Sequence, residues 1–80
     1  MSEYTAINQA HSLVEVSNAG KQLTLDDGSC WDVYAGFAER AMLWVAGEMV
    51  NVRPFKDEQY PYRLINVHRN ESVDAKLISC

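Results

Sequence analysis

No run of about 18 apolar residues occurs anywhere in this 80-residue chain, so nothing in it reads as a membrane-spanning helix. Cysteine is scarce. Cys30 and Cys80 are the only two, where a disulfide-built domain of this size carries about four or more. The opening residues, Met1-Ser2-Glu3-Tyr4, lack the basic-then-apolar order of a secretory signal. The expectation is therefore a cytoplasmic chain with its natural start and two free thiols. Cations are few: seven Lys and Arg stand against eleven Asp and Glu, a formal charge of −4. Such a chain is repelled by phosphate backbones and anionic lipid unless its cations cluster. Glycine-rich phosphate loops and serine elbows are absent too, as are internal repeats and low-complexity tracts.

What is present is the composition of a small globular domain, 48% apolar. Eighty residues make one domain with a limited core. Residues 1–10 are polar and aperiodic and read as a tail; residues 11–80 read as one domain. Alternation and turn signals divide the domain into short strands. The first is Ser12–Ser17, with Val14 and Val16 on one face, Glu15 and Ser17 on the other, and Leu13 breaking the pattern. Asn18-Ala19-Gly20 is a turn, and Gln22–Leu25 follows with Leu23 and Leu25 on one face. Asp27-Gly28 is a strong hairpin signal. Ser29–Tyr34 then turns Trp31 and Val33 inward and Cys30 outward.

From Gly36 to Val45 the period changes to that of a helix, with Phe37, Ala41 and Trp44 or Val45 on one stripe. Met49–Arg53 returns to strand, with Val50 and Val52 inward. Pro54 ends it, and Lys56-Asp57-Glu58-Gln59 is a polar tip. Tyr62–His68 carries apolar residues on both faces. Ser72–Ile78 alternates Val73, Ala75 and Leu77 against Asp74 and Lys76. A meander this small leaves exposed edges unless it curls. The fold class expected is therefore all-β: a five- to six-stranded antiparallel barrel of the Src-homology-3, Sm or OB kind. One short helical link is expected near residues 37–45.

The order Asp27-Gly28-Ser29, Trp31, Val33, Trp44, Gly47-Glu48, Val50-Asn51-Val52, Leu64-Ile65-Asn66, Val73 resembles a group of short bacterial proteins of unsettled function. The likeness covers roughly residues 13–77 and implies a small β-barrel, with no activity attached to it. Glu48 stands where the group more usually has Asp, and Cys30 is a further departure.

No catalytic, cofactor-binding or metal-binding residue is assigned. Asp26, Asp27 and Asp32 crowd Ser29 and Cys30 with negative charge, whereas a thiolate needs positive charge nearby. His11, His68, Cys30 and Cys80 lack the close spacing of a zinc site, and both histidines read as solvated. The expectation is a non-enzymatic interaction module that self-associates or takes a protein partner, without membrane contact. The chain has more large apolar residues than one small barrel needs, and an exposed apolar patch marks an interface. Phe37, Leu43, Trp44, Met49, Phe55, Tyr60 and Tyr62 are the candidates, although the two tryptophans also suit the core. The alternative is single-stranded nucleic-acid binding through Arg53, Lys56, Tyr62 and Arg63, where aromatics interleave with cations. A small-molecule or enzymatic site in the barrel mouth is the third reading. Asn66, polar among apolar neighbours, reads as a structural residue that must find buried partners.

Overall fold

Apolar side chains at every second position turn one face of each strand inward, and six such strands close on one another. The computed structural model describes residues 9–79. Its elements are β1 (Ala10–Ser17), β2 (Gln22–Leu25), β3 (Cys30–Val33), α1 (Ala38–Met42), β4 (Met49–Pro54), β5 (Tyr62–Asn66) and β6 (Glu71–Ile78). They form a closed antiparallel barrel in the order β1-β2-β3-β6-β5-β4. Two three-stranded meanders thus meet edge to edge, β3 against β6 and β1 against β4. Closure leaves no free strand edge, which is how so small a sheet avoids pairing with other chains. The core holds Leu13, Leu23, Leu25, Trp31, Val33, Ala41, Trp44, Val50, Val52, Leu64, Val73 and Ala75.

The β2–β3 hairpin has the form its Asp-Gly pair suggests. Gly28 N–H donates to Leu25 O and Leu25 N–H to Ser29 O, with Gly28 at φ +84. This is a three-residue loop ending in a left-handed glycine. Asp27 Oδ1 accepts from Ser29 N–H at 3.0 Å and from Ser29 Oγ at 2.6 Å. Ser29 Oγ in turn accepts from Trp31 Nε1 at 2.9 Å, so the turn anchors the indole edge of the core.

Several expectations are corrected. β1 begins at Ala10, inside the expected tail, and residues 1–8 lie outside the described part. Val14 is exposed and does not share a face with Val16, which packs against the core. The β1–β2 register shifts between Leu13 and Glu15, and this bulge puts Leu13 in the core and leaves Val14 unpaired. Cys30 lies on the outer face of β3, as expected, opposite Thr24, but it is buried there, with Sγ 3.6 Å from Thr24 Oγ1. Cys30 is also disulfide-bonded, not a free thiol; the expectation for Cys80 lies outside the described residues. The helical link is short and lies within residues 37–45, as expected. A 3-10 turn, Ala35–Phe37, precedes α1, which buries only Ala38 and Ala41. β5 ends at Asn66, so Val67 is exposed and not part of a strand face.

Candidate functional site

Three surface regions carry the polar and apolar side chains that the barrel does not use to close itself. The first is the corner where the segment after α1 meets the β5–β6 turn. Here α1 stops at Met42, and Leu43, the residue that follows, is 65% exposed. Met42 and Val45 are about half exposed beside it. Trp44, between them, points the other way. It is 3% exposed and donates through Nε1 to Glu71 Oε1 at 3.0 Å. Trp44 therefore adds nothing to an interaction surface, contrary to its place among the candidates.

Glu48 ties this corner together. Its Oε1 accepts from Val45 N–H at 2.8 Å, from Asn66 Nδ2 at 3.0 Å and from Arg69 Nε at 2.9 Å. Asn66 is fully buried, and its Oδ1 accepts from the backbone N–H groups of His68 and Arg69, at 3.0 and 3.2 Å. The structural role expected of Asn66 is thus what the fold uses. The Arg69 hydrogen bond, then that of the Val45 N–H, hold the Glu48 carboxyl at about 2, against an ordinary value of 4.5. A lowered folded-state pKa means the unfolded chain takes up this proton first. The stabilisation is complete above about pH 4.5 and is lost as pH falls through about 2. Between those values the thermal midpoint of the wild type should fall more steeply than that of Glu48→Gln, as followed by circular dichroism. Parallel pH profiles would show that Glu48 is not responsible.

The second region is the outer face of β4, β5 and β6 with the loop of residues 55–61. Of the nucleic-acid candidates, Arg53 and Arg63 are directly opposed across β4 and β5. Lys56 is exposed on the loop. Tyr62 lies on the opposite face of β5 from Arg63, edge-on to buried Trp31 with ring centroids 5.3 Å apart. Arg63 is already committed: its Nε donates to Asp74 Oδ1 at 3.2 Å and its guanidinium lies 3.9 Å from the Phe55 ring centre. Lys76 pairs with Asp32 at 3.7 Å. The aromatics pack on one another, Tyr34 against Phe37 and Tyr60 at 5.9 and 5.3 Å. The structure therefore does not bring the four nucleic-acid candidates onto one open surface. Of the remaining interaction candidates, Phe37 and Tyr62 are half-buried against the core. Met49, Phe55 and Tyr60 are half-buried as well, and Leu43 alone is open.

The third region was not expected. His11 is not a solvated histidine. It is 6% exposed at the start of β1, and its Nδ1 lies 3.4 Å from Asp26 Oδ1 and 3.9 Å from Asp27 Oδ2. Fifteen residues of sequence separate His11 from Asp26, and no motif spacing links them. The pairing register does: Leu13 opposes Leu25, and two residues further out His11 comes level with the Asp26-Asp27 turn. His68 and Cys30 do not join this group, which is the one cluster of three such side chains among the described residues.

Searches of protein families, curated proteins and solved structures find no match to this chain. No helix among the described residues is long and apolar enough to cross a membrane.

Proposed function

We propose that this barrel is a non-enzymatic interaction module that associates with a second copy of itself through the segment Met42–Val45. The observation that carries the reading is the exposure of Met42, Leu43 and Val45 within four residues. Val14 and Val67, also about half exposed, flank the same corner. Leu13 exchanges backbone hydrogen bonds with Gly47 and Glu48, and Val67 N–H donates to Met49 O. Glu48 and Asn66 hold this corner rigidly, so little ordering opposes association. Apolar surface on a rigid support favours a protein partner over a charged one such as nucleic acid.

The reading keeps the barrel in the group of short bacterial proteins that its turn and strand residues resemble. Cytosolic thiols are held reduced, so the disulfide-bonded Cys30 favours an oxidising compartment over the expected cytoplasm. The test is solution mass by light scattering across a concentration series. Wild type should form dimers or larger species. Leu43→Glu should weaken association at least tenfold while leaving the thermal midpoint unchanged, because the side chain is mostly in water. A wild-type monomer at all concentrations would overturn self-association, as would a Leu43→Glu variant that associates normally.

A further inference from the structure

We propose that His11, Asp26 and Asp27 bind one divalent transition-metal cation, with Zn²⁺ the best match to the donor set. The proposal is independent of the apolar corner. One ligand atom from each of the three side chains lies within 4.8 Å of the others. The His11 separations, 3.4 and 3.9 Å, are longer than the roughly 2.7–3.2 Å of a good hydrogen bond. The shorter of the two suits donors that share an ion. With metal–donor bonds of about 2.0–2.2 Å, two corners of a tetrahedron stand about 3.3–3.6 Å apart.

The surroundings orient the donors as a metal site requires. Asp27 spends Oδ1 on Ser29 N–H and Ser29 Oγ, so the carboxylate plane is set and Oδ2 is the oxygen nearer His11. Ser29 is itself held by the Trp31 indole. Outer hydrogen bonds of this kind fix a ligating carboxylate. The Asp26 backbone N–H donates to Ser12 O at 2.9 Å, which pins the turn to β1 next to His11. The hairpin turn uses Asp27 but not the Asp26 carboxylate, which is 49% exposed and 3.4 Å from the imidazole. A cation offsets the repulsion between these neighbouring carboxylates. Imidazole with two carboxylates favours Zn²⁺ over Ca²⁺ or Mg²⁺, which prefer oxygen alone. Three protein donors leave a position for water or an external ligand.

The test is isothermal titration with Zn²⁺ of the full chain, free of any affinity tag and dialysed against chelator, in the absence of reductant. One equivalent should bind and should raise the thermal midpoint. Asp26→Asn should weaken binding at least tenfold with the metal-free midpoint unchanged, since this side chain is half in water. Ser29→Ala should weaken it by about 10–100-fold. His68→Gln should bind as wild type. The proposal is overturned if Zn²⁺ does not saturate at millimolar concentration, or if Asp26→Asn binds normally. It is equally overturned if binding disappears on blocking thiols or in His68→Gln.

Discussion

Gly20→Ala should unfold the barrel or lower its thermal midpoint by tens of degrees. Two effects add at this position. Gly20 sits at φ +87, following Asn18 and Ala19 at φ 55 and 56, so three consecutive residues of the turn between β1 and β2 are left-handed. An L side chain there costs about 1–2 kcal/mol. The larger effect is steric. A Cβ on Gly20 would lie 2.0 Å from Ala38 O and 2.8 Å from Met42 N. Both are backbone atoms of α1 and neither can rotate away, so the helix would have to lift off the turn. Lifting it withdraws Ala38 and Ala41 and disturbs Trp44, all buried. Loss of a packed tryptophan alone costs about 3–5 kcal/mol. Domains have about 5–15 kcal/mol in total, and this one is small. Gly28→Ala is the control. Gly28 has a similar φ, +84, but open space where its Cβ would lie. It should cost only about 1–2 kcal/mol, the strain term. Thermal melts of the two variants separate the effects; equal losses would mean that the contact with α1 is unimportant.

Asn66→Leu should destabilise the fold by about 3 kcal/mol, although it puts an apolar side chain of similar size into a fully buried site. Asn66 opposes Val50 on the inner face of the barrel, where alternation alone would call for leucine or valine. Its amide makes three hydrogen bonds, to Glu48, His68 N and Arg69 N. Replacing one partner leaves the others unmatched, and a buried polar group without a partner costs about 1–3 kcal/mol. The gain in apolar burial, about 25 cal/mol per Å², is too small to offset three such losses because Asn66 already fills its site. The Glu48–Arg69 corner should loosen in the same variant. Denaturant unfolding measures the first effect, and hydrogen exchange at Val45, His68 and Arg69 reports the second. A stability change within about 0.5 kcal/mol would show that the network is no better than apolar packing.

The β2–β3 hairpin, the alternation of Leu23, Leu25, Val50, Val52, Val73 and Ala75, and the apolar stripe of α1 were legible because they rest on local rules. Neighbouring residues on one strand or helix must share a face, and glycine must take the left-handed turn. The structural role of Asn66 was legible for the same reason, since a polar residue in an apolar run needs partners. The β1 bulge was not legible. An extra residue in a ladder depends on what the other strand does, and Val14 looks apolar whichever way it points. The last residue of α1 was not legible either, because a stripe of apolar residues does not say where the chain must turn back into β4.

What the sequence determined by itself is the strand and turn order, the inward faces of most strands, and the all-β class. Each follows from short-range sterics and from the burial of alternate apolar side chains. Tertiary structure alone decided that the two meanders close edge to edge, that Glu48 meets Asn66 and Arg69, and that Met42, Leu43 and Val45 stay in water. It also decided that His11 faces Asp26 and Asp27. Those contacts join residues far apart in the chain, and strand register, which sets them, is a property of the paired strands together.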